Sequence, residues 1–377
     1  MSDIPSELHK EILLRLPAES LFRLRTVCKS WRRIIDDPPF LRSIINNDQL
    51  SFPNLLIRYG TGALYSLSLD SLIHINGEQT IDATHVNHVP SLEFPAATCN
   101  GLILILDHYD EDDETWVIWN PLTGDFHEFP QPDIDLFFAG CGIGYHSASD
   151  DYRVVRLDYL YHGGEYVHRT LVYSLRLNTW KQIMDYPSDF FNKRRENEGV
   201  FLNGAIHWKA YDSIIVLDLA TEKFHQLAAP PERAFPRNTR LDAFDGCLVV
   251  SVVSGTKRAW VMKDDGVELK WVELFSSVER RVIGGSSPSG RVCPIAYSEK
   301  ERQLILQHEN EIIVWDIEKY SAKKITIPGL WGGPSAQLCP RSIFRFNGIV
   351  GGVKKNINEA STRTWIFDKF WNRGICQ

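Results

Sequence analysis

One short pattern recurs along most of this chain and limits its fold more than any other feature. An apolar run is followed by a polar turn of Asn, Asp, Ser, Lys or Gly, then by a second run carrying an aromatic or apolar residue. It stands at VIWNPLTGDFHEF (117–129), LVYSLRLNTWKQI (171–183), IVLDLATEKFHQL (215–227), AWVMKDDGVELKWVEL (259–274) and IIVWDIEKYSAKKITI (312–327), and truncated at TWIFDKF (364–370). An earlier copy, LYSLSLDSLIHI (64–75), largely alternates, as a half-buried strand pair does. With Tyr65, Trp119, Tyr173, Leu217, Met262, Trp315 and Phe367 as equivalent points, the copies lie 44 to 54 residues apart. One hairpin cannot bury its own face, so units of this period stack radially around a shared core, as propeller blades do.

Between the hairpins lie further strand candidates: GLILIL (101–106), YRVVRL (152–157), GVFLNGAIHW (199–208), GCLVVSVV (246–253) and RQLILQ (302–307). Three or four strands per unit suits a blade. The first unit lacks an upstream strand and the last lacks a partner. If they complete one another the ring has six blades, otherwise seven. A closed propeller is preferred to a two-sheet sandwich because closure removes sheet edges.

The first 47 residues have a different period. Pro5 and Ser6 open a helix whose Leu8, Ile12 and Leu16 recur every fourth residue, and Pro17 stops it. Leu21, Leu24, Cys28, Trp31 and Ile35 continue at spacings of three and four, with a break near Thr26. Pro38 and Pro39 precede a fourth helix holding Phe40, Leu41, Ile44 and Ile45. A unit this small buries only about 60% of its chain surface. Leu13, Leu14 and Phe22 lie off its main stripes, so it must meet another surface. That surface is either the chain's own β-domain or a partner protein. The fold class is therefore mainly β: a small helical unit (1–47), then a β-propeller-like domain (51–377) of six or seven blades. Asn46-Asn47-Asp48 marks the join as a turn, and a connection this short predicts a fairly fixed orientation.

Residues 4–41, IPSELHKEILLRLPAESLFRLRTVCKSWRRIIDDPPFL, resemble an F-box. Ile4-Pro5, Glu7-Leu8, Ile12-Leu13, Leu16-Pro17, Ser20-Leu21, Arg25, Val27-Cys28, Lys29, Trp31 and Phe40 match the motif without a gap, with Ile4 where many members have Leu. The resemblance implies that Ile4, Pro5, Leu8, Ile12, Leu13, Leu16, Pro17, Leu21, Val27 and Trp31 serve a Skp-type adaptor interface or the helical packing behind it. The pattern does not divide those two roles. The β-motifs, in order from CNGLILIL to PIAYSEKERQLIL and clearest over 95–330, resemble the plant F-box-associated domain. That group is similar to kelch-like propellers and to the S-locus F-box-like superfamily. The resemblance implies a substrate-recognition subunit of an SCF-type (Skp–cullin–F-box) ubiquitin ligase. The F-box would bind the adaptor, and through it a cullin. The β-domain would hold an unidentified target protein for ubiquitination and degradation, and the subunit itself would be non-catalytic.

Other readings fare less well. The chain carries a net charge of −7, and its first 47 residues, with eight Lys/Arg and six Asp/Glu, are net positive, so the β-body is acidic. An acidic body offers no face to nucleic acid or to a membrane surface. No run approaches the ~20 apolar residues of a membrane span. Cys28, Cys99, Cys141, Cys247, Cys293, Cys339 and Cys376 are dispersed with no CxxC, which predicts reduced thiols and a location in the cytoplasm and/or nucleus. Gly140-Cys141-Gly142-Ile143-Gly144 lacks GxGxxG spacing and is expected to be a turn feeding a strand. His85 and His88 have metal-like spacing but no ligand partners nearby, so neither a metal nor a cofactor is expected.

The acidic run Asp110 to Glu114, with Asp107, is read as a solvated loop or, alternatively, as a contact for a basic target. Lys193-Arg194-Arg195 is read as a solvated turn. Trp116, Trp119, Trp180, Trp208, Trp260, Trp271 and Trp315 sit at regular strand positions and are expected in blade cores rather than in a ligand cage. No nucleophile with a matched base stands out. The alternatives are a propeller enzyme acting on a small molecule, which needs convergent carboxylates or a metal in the channel, and an adaptor-binding scaffold that degrades nothing.

Overall fold

A computed structural model describes residues 6–45, 54–59, 63–69, 72, 84–86, 95–107, 115–132, 137–163, 165–186, 198–210, 212–230, 239–252, 258–264, 266, 268–275, 292–298, 301–308, 311–325, 335–340 and 342–346. Four short helices come first: α1 (Ser6–Leu13), α2 (Ala18–Leu24), α3 (Lys29–Ile35) and α4 (Pro38–Ile45). Pro17 stands immediately before α2 with φ −57° and ψ 150°, so it separates the first two helices. The expected break near Thr26 lies between α2 and α3, where the Cys28 sulfur accepts the Trp31 N–H at 3.4 Å and caps the new helix. No described helix is long and apolar enough to cross a membrane.

The β-domain is a ring of six four-stranded antiparallel sheets. In chain order from the inner strand, blade 2 is Pro95–Cys99, Leu102–Asp107, Thr115–Trp119 and Phe126–Phe129. Blade 3 is Phe137–His146, Asp151–His162, Glu165–Ser174 and Thr179–Gln182. Blade 4 is Val200–Leu202, Ala205–Lys209, Ser213–Asp218 and Lys223–Ala228. Blade 5 is Thr239–Phe244, Cys247–Val252, Ala259–Asp264 and Leu269–Phe275. Blade 6 is Val292–Ser298, Gln303–His308, Glu311–Asp316 and Ser321–Ile325. Blade 1 combines Asn54–Tyr59, Ala63–Ser68 and Thr84–His85 with an inner strand, Ser335–Cys339, from the far end of the ring. Reference residues Tyr65, Trp119, Tyr173, Leu217, Met262 and Trp315 each fall on the third strand of one blade.

Closure settles the blade number at six. The first unit is completed as expected from the C-terminal side, but by Ser335–Cys339; TWIFDKF (364–370) lies outside the described residues. Two other expectations need correction. The expected strand pair at 64–75 is one strand where described: it ends at Ser68, and Leu69 and Leu72 are helical, both buried, with 70, 71 and 73–75 outside the described residues. Residues 140–144 are not a turn either but lie within the inner strand of blade 3. Gly142 and Gly144 are needed for close blade packing. A Cβ on Gly142 would sit 2.7 Å from Ile206, and one on Gly144 would sit 2.5 Å from Leu219 and 2.9 Å from Phe201, all in blade 4.

Apolar residues from adjacent blades fuse into wedges. One joins Leu104, Trp116 and Ile118 of blade 2 to Ile143, Val154 and Tyr173 of blade 3. Trp116, Trp119, Trp208, Trp260 and Trp315 are buried in these wedges. Trp180 and Trp271 are half-buried on outer strands, and each donates its indole N–H across a blade boundary, to Pro130 O at 2.6 Å and to Ala228 O at 2.8 Å. The rings therefore serve packing, as their strand positions predict. Buried Cys99, Cys141 and Cys339 behave as small core residues, with burial pushing the Cys339 thiol up to about 12.

Candidate functional site

The helical unit divides its apolar residues between an inner and an outer surface. Leu13, Ala18, Leu21, Ile35 and Phe40 form its core. Leu16 and Trp31 pack against the rim of that core together with Leu14, Phe22 and Leu24. Leu8, Ile12, Pro17 and Val27 face solvent, with Leu8 48%, Ile12 46% and Val27 64% exposed. Ile4 and Pro5 lie outside the described residues. Two residues adjacent in sequence, Ile12 and Leu13, thus have opposite surroundings, because one helical step of about 100° rotates a side chain from the core to the surface.

The outer face rests on a locked scaffold. Arg25, just past α2, grips Asp36, just past α3, with both its Nε and Nη2 groups, the latter at 2.7 Å. This hydrogen bonding raises the Arg25 pKa further, so its guanidinium stays charged. Thr26 donates its hydroxyl to Arg23 O at 2.8 Å in the same turn. Val27 stands exposed in that clamped turn.

The other side of the bundle meets the propeller. Ile343, from the segment that follows the closing strand, is buried in the helical core, and Leu122, from the outer hairpin turn of blade 2, packs against it. Arg42 of α4 donates to Asp150 at 2.7 Å, and Tyr145 donates its hydroxyl to the same carboxylate at 2.5 Å. Asn120 holds the Ile343 segment by donating to Ser342 O at 2.9 Å and Phe344 O at 2.8 Å, and Arg345 grips Asp125 at 2.6 and 3.0 Å. The contact is not flush: a cleft of about 670 Å³ with polar lining, including Glu19, Arg23, Asn54, Ser66 and Thr123, opens beside it.

Sequence reasoning left open whether a partner or the β-domain covers the helices. The structure assigns the Leu13 side to the β-domain and leaves the Leu8/Ile12 side uncovered. Ile343, Leu122, Arg42 and Asp150 had no signal in the sequence. Ile343 lies in an irregular segment where no period marks a buried position.

The topology also sorts the propeller's connections. Turns joining the first to the second and the third to the fourth strand emerge on one face, where the Ser147–Asp150 and Pro121–Gly124 turns meet the helical unit. The strand ends that lead from second to third strands and from blade to blade lie on the opposite face. The runs 108–114 and 187–197, which include the acidic run and the Lys193–Arg195 turn, lie outside the described residues, as does His88. His85 is exposed and stacks edge-on to Tyr65 at 5.3 Å. No group of His, Cys, Asp or Glu among the described residues has metal-binding geometry.

Comparison with known proteins agrees with this architecture. The family model of the F-box associated beta propeller domain matches residues 63–329, and that of the F-box domain matches residues 1–43. The F-box protein CPR1 of Arabidopsis thaliana is 27% identical, with 96% of this chain and 92% of that protein aligned. An F-box/kelch-repeat protein of the same plant is 29% identical over 73% of this chain and 79% of its own length. A third relative, also an Arabidopsis thaliana F-box protein, is 25% identical over 85% of both.

Proposed function

Since this chain belongs to the F-box-associated β-propeller family and opens with an F-box, we propose that it is the substrate-recognition subunit of an SCF-type ubiquitin ligase. The outward face of the helices docks on a Skp-type adaptor, which links it to a cullin. The propeller holds a target protein. Chemistry belongs to the other subunits, and this one supplies proximity, which raises the effective concentration of a target lysine. The dispersed cysteines favour a cytoplasmic and/or nuclear setting.

The observation that carries this reading is the uncovered apolar trio Leu8, Ile12 and Val27 on an otherwise packed and clamped bundle. Burying the exposed part of such side chains contributes about 1 kcal/mol each. Leu8→Asp and Ile12→Asp lose that contribution and also place a carboxylate in the contact, so each is expected to weaken co-purification with adaptor and cullin by roughly tenfold or more, with the melting temperature unchanged. Binding that persists in both variants would sink the proposal. A lengthened target half-life on removing the protein separates a degradative role from a scaffold.

A further inference from the structure

Blade 3 has two strands that outrun their counterparts. Asp151–His162 and Glu165–Ser174 have 12 and 10 residues, where the second and third strands of other blades have five or six. The extra pairs run from Tyr159↔His168 to His162↔Glu165. The outer strand pairs only with Leu171–Ser174, and the inner strand reaches only as far as Phe137↔Tyr159. The hairpin tip therefore stands clear of the blade. Asp151 is at the end near the helical unit, so the tip lies roughly 36 Å away on the opposite face, at 3.3 Å per strand residue.

The projecting part is aromatic where solvation alone would favour polar residues. Phe137, Tyr159, Tyr161, Tyr166 and His168 share one side. Their rings contact in sequence: Phe137–Tyr159 at 5.6 Å, Tyr159–Tyr166 at 6.1 Å and Tyr161–Tyr166 at 4.8 Å. Phe137 is 56% and Tyr161 57% exposed, and Val167 on the reverse side is 44% exposed. Two exposed rings, Phe137 and Tyr161, linked through half-buried Tyr159 and Tyr166 on a paired hairpin, are pre-ordered and lose little entropy on binding, which is why tyrosine dominates recognition surfaces. Their π-faces attract Lys and Arg. Glu165 lies exposed at the tip, and the β-domain as a whole carries a net negative charge.

We infer that this hairpin is the docking surface for the target, and that the segment it takes is an extended stretch of protein with Lys or Arg beside apolar residues. The inference deepens the receptor reading and rests on it for the identity of the partner as a target. Cationic heads lie over the exposed Tyr161 ring and near Glu165, while apolar neighbours cover Phe137.

A random-peptide phage library panned on the full chain co-expressed with its adaptor tests this. Enriched peptides are expected to combine basic and apolar residues. Synthesised, they should bind Tyr161→Ser and Phe137→Ser at least tenfold more weakly than the parent, measured by fluorescence polarisation. Leu269→Ser, which removes an exposed apolar residue of blade 5, should leave affinity intact. All three variants should melt as the parent does and retain the adaptor. Acidic enriched peptides, affinities indifferent to the hairpin variants, an equal loss in the Leu269 control, or no enrichment each overturn the inference. Adaptor binding is read separately, so a chain that loses the adaptor but keeps hairpin-dependent peptides counts against the receptor reading alone.

Discussion

His207 and Asp242 show how single buried groups set the pH response of the propeller. Burial lowers the His207 pKa to about 4, although its ring nitrogen lies 3.2 Å from Val200 O. Burial raises the Asp242 pKa to about 6, outweighing the opposing pull of Arg240, which donates to it at 2.9 Å. An unfolded histidine protonates near 6.5, so between pH 6.5 and 4 the unfolded chain binds the extra proton and stability falls as pH drops. For Asp242 the native state binds the extra proton between pH 6 and the unfolded value near 3.9, so stability rises as pH drops. Each effect is about 3 kcal/mol at full extent, and they oppose one another. Melting curves from pH 7 to pH 4 should show Asp242→Asn losing stability more steeply than the parent and His207→Gln losing it less. Identical profiles for all three proteins would refute this account. Gly142 and Gly144 act at the same scale. Their residue type was visible in sequence, but the need for it comes from blade 4 side chains more than 50 positions away.

At the scale of elements, the chain repeats two turns. Between first and second strands stand Asn100-Gly101, Asn203-Gly204 and Asp245-Gly246, all with positive φ, which matches the twist of two-residue hairpins. Between third and fourth strands an Asn, Ser or Asp side chain accepts a backbone N–H two or three residues on, as at Asn120, Ser174, Asp218 and Asp316. Four residues after each stands a residue with positive φ: Gly124, Asn178, Glu222 and Tyr320. These turns are local chemistry, which is why the hairpins were legible. The Ser342–Phe346 segment was not, since it has no period and gains its place from distant partners: Asn120, Asp125, the helical core, and the wedge between blades 2 and 3 that takes Phe344 and Phe346. Removing the Ile343 side chain opens a cavity in that core. Ile343→Ala is expected to cost about 2 kcal/mol or more and to speed amide hydrogen exchange in residues 6–45 more than in blades 4 and 5. Unchanged exchange in the helices would show that their core does not depend on the propeller.

For the whole molecule, closure governs cooperativity. The Ser335–Cys339 strand registers against Asn54–Arg58, so the two ends of the β-domain meet in one sheet. Deleting residues 335–377 removes this strand and the Ile343 anchor together and leaves a bare inner edge on blade 1. The truncated chain should melt at least several degrees lower, with a broader transition, and should lose adaptor binding. A sharp melt at the parent temperature would show that closure is dispensable. The same architecture separates the two proposed surfaces: the helices occupy one face of the ring, and the long blade 3 hairpin projects from the other.

What this sequence determined by itself is what local periodicity encodes. The switch from a helical period to a repeated hairpin, the blade spacing, the turn chemistry and the helix breaks all depend on residues within a few positions of one another. Tertiary structure alone decided which strand closes the ring, why glycines must line the inner strand of blade 3, and which F-box residues face inward. Ile12 and Leu13 are equally apolar, and only the arrival of Phe40, Ile35 and Ile343 around one of them distinguishes core from surface. Burial is a property of distant neighbours brought together, and no spacing along the chain records it.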